Sequence, residues 1–225
     1  MIIAIDGPAG SGKSSTARSV AQRLDALYID TGAMYRAIAL RAIDEGLIPE
    51  KDDFSELMGD VDVDLKPSPD GLRVLLDGKD VSDAIRTEEA SSMSSRVSQR
   101  PEVRKRMVDL QRRLAHRHRD EGGKVVMEGR DIGTVVFPDA DWKFFVTASP
   151  ERRAERRALQ MEGKGVEVDR EELLSQIRER DNRDFTRTHS PLTQAPEAYL
   201  IDTTSCSFEE QVENVLAIIF GNAQD

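Results

Sequence analysis

Apolar positions along the chain form short continuous runs that alternate with longer stretches of helical spacing. IIAI at 2–5 has the length of a buried strand, and the stretch from Lys13 to Leu24 has the spacing of a helix. ALYIDTG predicts a second strand, and MYRAIALRAIDE predicts a helix that ends at Gly46. KVVMEG and WKFFVTAS predict two further buried strands. Strands that alternate with helices indicate an α/β fold, in which a parallel sheet has helices on both faces.

The segment from about residue 60 to residue 83 breaks this alternation. VDVDL and LRVLL are strand-like runs separated by PSPDG, whose prolines and glycine are typical of a turn. A small antiparallel insert is therefore predicted. A long polar helical region follows from about Thr87 to Glu121, with a break at Pro101.

Three later helices carry start signals. Ser149 and Pro150 have the pattern of an N-cap followed by a first-turn proline. Asp169 and Ser207 each precede a glutamate by three residues, which is the spacing of a capping box. We therefore expect helices to begin just after Ser149, Asp169 and Ser207.

The first strand and the first helix are joined by GPAGSGKS, a stretch of small residues around a lysine. Gly7, Gly12, Lys13 and Ser14 satisfy G-x-x-x-x-G-K-[ST] in the strand-to-helix context that this motif requires. Small residues let backbone N–H groups surround a phosphate, so the motif predicts a nucleoside triphosphate site with Lys13 at the β- and γ-phosphates and Ser14 on Mg²⁺. The residues predicted to contact the nucleotide are Gly7, Pro8, Ala9, Gly10, Ser11, Gly12, Lys13, Ser14 and Ser15.

Composition and charge limit the possible partners. The chain has 225 residues, of which 33% are charged, and its formal net charge is −10. An acidic surface repels nucleic acid and anionic membranes, so an anionic ligand needs a local basic pocket. The run VLAIIF is too short to cross a bilayer, and a lone cysteine, Cys206, is typical of a reducing compartment. We expect a cytoplasmic protein with no nucleic-acid or membrane partner.

Several classes of protein share this phosphate loop. A GTPase switch requires an N-K-x-D guanine signature, which the sequence lacks. A large ATPase motor needs more chain, although Glu128 at the end of VVME is a candidate Walker B acid. A small kinase fits the length better. The length does not identify the molecule that would accept the phosphoryl group. A kinase for a hydroxyl acceptor and a non-catalytic nucleotide switch both remain alternatives.

Arginines later in the chain are candidates for an acceptor site. Arg180, Asp184 and Arg187 fall at i, i+4 and i+7, which places them on one face of a helix. Arg130 follows the VVME strand, where open α/β sheets bind ligands, and Arg36 lies on the helix after the second strand. Exposed charge pairs of this kind are most often solvated and contribute little. Next to a phosphate loop, however, clustered arginines favour an acceptor that is itself a phosphate.

Five longer motifs occur in order along the chain. They are DTGAMYR at 30–36, DVSDAIRTEE at 80–89, SSRVSQRPEVR at 94–104, EGRDIGTVVFPDA at 128–140 and RDNRDFTR at 180–187. Together they resemble the motifs of the bacterial cytidylate kinase family, and the resemblance extends from Ile2 to about Thr203. The resemblance implies a P-loop NTPase fold with a strand-containing monophosphate-binding insert and a helical lid.

The same resemblance implies a reaction and a set of site residues. The reaction is transfer of the γ-phosphoryl group of ATP to CMP or dCMP, with Mg²⁺, by a monomer. The residues implied for the acceptor are Ser95, Arg104 and Asp131 for cytosine, Arg36, Arg130 and Arg187 for its phosphate, and Arg180 and Asp184 for the sugar and nearby phosphates, with Thr31 lining the same site. The implied catalytic residues are Lys13, Arg36, Arg130, Arg180 and Arg187.

The resemblance also divides the chain into subdomains. The core would comprise residues 1–34, 103–148 and 169–225, the monophosphate-binding insert 35–102, and the lid 149–168. Arg157 of the lid would contact ATP. Two positions are variants, since Thr31 stands where other members have serine and Glu128 where some have aspartate. The longer Glu128 leaves its role at magnesium open.

Physical chemistry favours the same acceptor. A hydroxyl acceptor benefits from a carboxylate base, whereas a CMP phosphate is already ionised and needs its charge neutralised. Arginine forks match phosphate oxygens bidentately. For the base, Ser95 and Arg104 can donate to cytosine O2 and N3, and Asp131 can accept from the 4-amino group. Uracil reverses this pattern at N3 and position 4, so we expect UMP to be a poor substrate.

Overall fold

The computed structural model describes residues 1–68, 71–163 and 165–221. The strands are β1 (Ile2–Asp6), β2 (Ala26–Asp30), β3 (Val63–Ser68), β4 (Gly71–Leu76), β5 (Lys79–Asp80), β6 (Lys124–Gly129), β7 (Trp142–Thr147) and β8 (Tyr199–Asp202). The helices are α1 (Lys13–Leu24), α2 (Thr31–Asp44), α3 (Ser55–Asp60), α4 (Glu88–Val97), α5 (Pro101–Asp120), α6 (Pro150–Glu162), α7 (Arg170–Thr186) and α8 (Phe208–Gly221). A 3-10 turn spans Ala84–Arg86, and a π-helical turn spans Ile132–Val136.

Five strands form one parallel sheet in the order β2-β6-β1-β7-β8. Asp6 at the end of β1 pairs with Gly129 of β6, and Asp30 at the end of β2 pairs with Glu128. The strands therefore end at one edge of the sheet, where the loops after β1, β2 and β6 converge. The predicted α/β class with a parallel sheet is confirmed.

Helices cover both faces of this sheet because alternate residues of each strand point to opposite sides. Ile2 and Ala4 of β1 pack into one core cluster together with α2 and α5. Ile3 and Ile5 pack into a second cluster with α1 and α8. A central parallel strand is buried on both sides, which explains the continuous apolar run that predicts β1. None of the described helices has the length and apolar composition that spanning a membrane requires.

The predicted antiparallel insert is present. β3, β4 and β5 form a three-stranded antiparallel sheet in which Val63 pairs with Leu76 and Leu75 with Asp80. The predicted turn at PSPDG includes residues 69–70, which lie outside the described residues. Sequence pattern does not predict β5 or α3, because two residues and six residues are too short to show a period.

The predicted helix starts after Ser149, Asp169 and Ser207 are confirmed by their capping contacts. The side chains of Ser149 and Asp169 each accept backbone N–H groups in the first turns of α6 and α7. Ser207 and Glu210 exchange hydrogen bonds at the start of α8. The predicted break at Pro101 is also present, since α4 ends at Val97 and α5 begins at the proline.

Two helix boundaries differ from the expected ones. α2 begins at Thr31 rather than at Met34, because Asp30 acts as its N-cap and accepts the N–H of Ala33 at 2.8 Å. α7 ends at Thr186, so Arg187 lies just beyond the helix instead of on its face. The backbone of Arg187 is extended there, with a ψ angle of 141°.

Candidate active site

A cleft lies at the carboxyl ends of β1, β2 and β6, in the position that open α/β sheets use for ligands. The residues that line it are Lys13, Ser14, Asp30, Thr31, Gly32, Tyr35, Arg36, Ser94, Ser95, Ser98, Arg104, Glu128, Gly129, Arg130, Asp131, Arg180, Asp184 and Arg187. Six of these side chains are basic and four are acidic. An acidic protein therefore contains a locally basic cleft suited to an anionic ligand.

The phosphate loop between β1 and α1 owes its shape to glycine. Gly7, Gly10 and Gly12 have positive φ angles of 150°, 76° and 91°. A Cβ on Gly7 would stand 2.0 Å from the carbonyl oxygen of Val146, and one on Gly12 would stand 2.8 Å from Gln211. No side chain of the described residues caps the start of α1. The first N–H groups of this helix therefore remain available to a phosphate.

Lys13 is almost fully buried beside this loop. Its Nζ donates to the carbonyl oxygen of Pro8 at 3.3 Å and lies 3.9 Å from Oε2 of Glu128. Burial, followed by the neighbouring charge of Arg130, lowers the pKa of Lys13 to about 7, although Glu128 opposes the change. A bound polyanion would favour the protonated amine, because opposite charge raises its pKa.

Glu128 connects Lys13 to the magnesium-binding hydroxyl predicted at Ser14. Its Oε2 accepts the hydroxyl of Ser14 at 2.7 Å, and its Oε1 accepts the hydroxyl of Tyr28. Burial, and then the charge of Asp30, raise the pKa of Glu128. Hydroxyl and carboxylate oxygens are the donors that Mg²⁺ prefers, usually one or two from the protein beside the substrate phosphates. The residues present fit a magnesium ion that arrives with a triphosphate.

Three arginines lie together in the cleft. Nε of Arg130 donates to Asp184 at 2.9 Å, and Arg36 donates to Asp30 at 3.4 Å. Burial, followed by the charge of Arg130, lowers the pKa of Arg180 to about 10. Within the described part of the chain, the buried Nε of Arg180 has no hydrogen-bond partner. Crowded guanidinium groups with an unfilled donor indicate a site for an anion.

Asp131 is held between two further arginines. Arg104 donates to one of its carboxylate oxygens, and Arg187 lies 3.9 Å from the other. Arg104 also donates to the carbonyl oxygen of Ser98 at 3.3 Å. The buried hydroxyl of Ser95 has no hydrogen-bond partner among the residues described. A fixed acceptor and several donors thus stand together, as a planar ligand with both kinds of group would require.

The cleft brings together all the acceptor-site residues predicted from the sequence. These residues are Thr31, Arg36, Ser95, Arg104, Arg130, Asp131, Arg180, Asp184 and Arg187. Arg187 reaches the cleft although it lies beyond α7, because its Nε donates to the carbonyl oxygen of Ser190 at 2.6 Å. The individual roles of these residues stay predictions.

Arg157, predicted to contact the nucleotide, does not line the cleft. It lies on α6, where it forms an exposed ion pair with Glu88 at 3.2 Å. Two neighbouring arginines reach the phosphate loop instead, since Arg153 and Arg156 each donate to a loop carbonyl oxygen, at 3.1 Å and 3.4 Å. The run ERRAERR is the only sequence signal for these two contacts.

Asp30 and Tyr35 are among the cleft residues that are not identified from the sequence. Asp30 caps α2 and accepts from Arg36. Tyr35 is an uncharged neighbour of Arg104 and Arg187, and burial raises its pKa to about 12. Both lie within the motif DTGAMYR, so the motif, rather than any periodicity, is the signal that could have found them.

Comparison with solved structures shows the fold. An uncharacterized protein from Eubacterium ventriosum superimposes with a TM-score of 0.54. The two sequences are 14% identical, and the match covers 98% of each chain. This likeness concerns the fold alone.

Sequence comparison shows the family. The family model for cytidylate kinase matches residues 3–220. The chain is 50% identical over 223 residues to a cytidylate kinase from Caldanaerobacter subterraneus subsp. tengcongensis, with 99% of this chain and 96% of the relative covered. It is 49% identical over 217 residues to a cytidylate kinase from Pelotomaculum thermopropionicum, with 96% and 94% covered. The chain therefore belongs to the cytidylate kinase family.

Proposed function

We propose that the protein transfers the γ-phosphoryl group of ATP to the phosphate of CMP or dCMP, which yields ADP and CDP or dCDP. Membership of the cytidylate kinase family supports this reaction. The observation that carries the site assignment is the position of Arg36, Arg130 and Arg180 beside the phosphate loop. An acceptor phosphate held by Arg36 and Arg130, with Arg180 adjacent, lies next to the γ-phosphate.

The donor end binds the triphosphate through backbone N–H groups of the loop and through Lys13. Lys13 contacts the β- and γ-phosphates and stabilises the charge that develops on the transferred group. Arg153 and Arg156 bind carbonyl oxygens of the loop and hold it against α6. These contacts hold the loop in the free protein, before the proposed lid at 149–168 closes.

Ser14 and Glu128 are the residues that would hold Mg²⁺. The Ser14 hydroxyl would be a ligand of the ion, and Glu128, which accepts that hydroxyl at 2.7 Å, would orient it. Mg²⁺ held by these residues would neutralise charge on the triphosphate. Addition of Mg²⁺ to the ATP-bound protein, followed through the amide signals of residues 14 and 128, tests this assignment.

The acceptor end performs charge neutralisation and positioning rather than proton abstraction. A CMP phosphate oxygen attacks without losing a proton, so no general base is needed. Two polyanions must instead be held in line and close together, which Arg36, Arg130 and Arg187 accomplish with forked hydrogen bonds. Asp184 keeps the Arg130 guanidinium in place through its 2.9 Å hydrogen bond and contacts the sugar. Arg180 supplies the unfilled donor for a phosphate oxygen.

The base end selects cytosine. Asp131, fixed by Arg104, accepts from the 4-amino group, while Ser95 and Arg104 donate to O2 and N3. Uracil would place an acceptor against the Asp131 carboxylate and leave buried groups unpaired. Such mismatches reduce kcat/KM by orders of magnitude, so UMP is a poor substrate.

The proposal also includes a closing movement of two segments and the cellular location of the protein. Residues 35–102 bind the monophosphate and residues 149–168 close over ATP, so that water does not intercept the phosphoryl group. Arg157 then exchanges its exposed ion pair with Glu88 for a phosphate, because an exposed pair contributes little. The protein acts as a monomer in the cytoplasm. Light scattering on the purified protein tests the oligomeric state.

ADP release with Mg-ATP tests the reaction. The acceptors are CMP, dCMP, UMP, AMP, GMP and shikimate, each assayed separately. We expect fast turnover with CMP and dCMP only. Equal turnover of UMP would refute the base assignment, turnover of shikimate would support a hydroxyl-acceptor kinase, and ATP binding without turnover would support a nucleotide switch.

A further inference from the structure

Asp6 is the last residue of β1 and lies directly before the phosphate loop. It is 5% exposed. Its Oδ1 accepts the backbone N–H of Ile132 at 2.8 Å, and its Oδ2 accepts that of Gly133 at 2.7 Å. The residue that ends the donor strand thus binds the backbone of the loop that carries Arg130 and Asp131.

The hydrogen bonds to Asp6 take the place of an N-cap hydrogen bond that Asp131 could make. Ile132 begins the π-helical turn Ile132–Val136, and the first N–H groups of a helical turn lack partners within it. An aspartate at the N-cap commonly accepts them with its own side chain. Asp131 stands at that position but makes no capping hydrogen bond with any described residue. Its carboxylate faces Arg104 and Arg187 in the cleft instead.

We propose that Asp6 caps this turn in place of Asp131 and thereby keeps the Asp131 carboxylate in the cleft for cytosine. Asp6 is a positioning residue, because it acts through Asp131 and the loop backbone and touches no reacting group. The inference rests on the proposed function and names a residue that sets the base specificity of that function. The same contacts fix the acceptor loop relative to the phosphate loop.

The chemistry of the contact explains why a carboxylate is present. Burial raises the pKa of Asp6 to about 7, while the N–H groups of Gly133 and Ile132 oppose that change. Burying a carboxylate is unfavourable, so a residue with only a packing role would avoid it. The two N–H groups bind different oxygens of Asp6, and an asparagine would put an NH₂ donor in place of one of these acceptors.

Asp6→Asn is the direct test. The variant leaves one N–H of the turn without an acceptor, and Asp131 is then drawn from the cleft to cap its own turn. We expect the ratio of kcat/KM for CMP to that for UMP to fall at least about tenfold, since small displacements at a reacting site have large effects on rate. The Kd for ATP should change less than about threefold, because the phosphate-loop N–H groups are retained.

A matched control separates this role from stability. Asp141 also accepts a backbone N–H of β1, that of Ile2 at 2.6 Å, at the opposite end of the strand. Asp141→Asn should lower the melting temperature and leave the CMP-to-UMP ratio unchanged. In an Asp131→Ala background, Asp6→Asn should no longer alter the ratio, because the residue through which it acts is absent.

Gly133→Ala keeps the proposal testable if Asp6→Asn does not fold. An added Cβ would lie 3.3 Å from Cδ of the buried Lys143, which is tighter than usual, and 3.4 Å from Oδ2 of Asp6, which is ordinary contact. We expect it to displace the turn slightly without changing charge. The ratio should fall in the same direction by a smaller factor. An unchanged ratio in the folded variants, an equal fall in the Asp131→Ala background, or a parallel loss of ATP binding would overturn the proposal. A wild-type protein without preference for CMP would instead refute the proposed function.

Discussion

The two ends of the cleft provide positive charge in different ways. The donor end uses backbone N–H groups of one short loop and a single buried cation, Lys13. The acceptor end uses guanidinium groups from separate segments, such as Arg36 on α2 and Arg130 after β6. Both of these arginines already pair with a carboxylate. The donor end is thus formed by shape, whereas the acceptor end is formed by exchangeable ion pairs.

This difference predicts how each end responds to substitution. At the donor end even a methyl group on Gly7 would meet a backbone oxygen at 2.0 Å, so the loop cannot adapt. Changes there should affect every acceptor equally, because all acceptors share one donor. At the acceptor end a guanidinium must leave or share its carboxylate when a phosphate binds. Changes there should depend on the acceptor and spare ATP binding.

The largest effect is expected from Lys13→Ala. Turnover should fall about 10³-fold or more with CMP and dCMP alike, because the charge on the transferred phosphoryl group loses its stabilising partner. ADP release under saturating substrates measures it. Lys105→Ala removes an exposed lysine of α5 and serves as the control. A fall of less than about tenfold would contradict the role given to Lys13.

Arg130→Lys should have the next largest effect. Lysine keeps the charge but loses the fork that binds Asp184 and a phosphate together, so kcat/KM for CMP should fall about 10²-fold. The Kd for ATP, measured by titration calorimetry, should hardly change. Arg178→Lys alters an exposed ion pair and should leave both quantities unchanged. Equal losses of ATP and CMP binding would show that the two ends are not separable.

Asp131→Ala should have a smaller effect, which falls mainly on the preference for CMP over UMP. The ratio of kcat/KM for CMP to that for UMP should fall at least about tenfold, because the acceptor for the 4-amino group is removed. Competition between the two nucleotides in one reaction measures this ratio directly. Asp109→Ala, at an exposed position of α5, is the matched control. A ratio that survives the loss of Asp131 would mean that other groups read the base.

The smallest effect is proton uptake when ATP binds. The pKa of Lys13 is lowered to about 7 in the free protein, so the amine is mostly neutral in alkaline solution and regains its proton beside the triphosphate. Uptake should be small near about pH 6 and approach one proton near about pH 8.5. Calorimetry in two buffers with different ionisation enthalpies measures it. Lys13→Arg stays charged throughout and should abolish the uptake, and its persistence would assign the proton to another group.

Predictability from sequence follows the same division. The phosphate loop and β1 are specified by consecutive residues, so a motif and an apolar run suffice to predict them. The acceptor end depends on contacts between distant positions, such as Arg104 with Asp131 and Arg130 with Asp184. Periodicity cannot report such pairs, and only family motifs place these residues together. Asp6 shows the limit of prediction from sequence, because no local pattern indicates that its carboxylate binds a turn more than a hundred residues away.

The central claim is that the arginine-rich end accepts a phosphate and not a hydroxyl group. The most direct measurement compares CMP with cytidine as acceptors for Mg-ATP, with the products identified by chromatography. We expect CDP from CMP and a kcat/KM for cytidine at least about 10³-fold lower, because cytidine leaves the guanidinium groups without their phosphate. Formation of CMP from cytidine at a comparable rate would contradict the account.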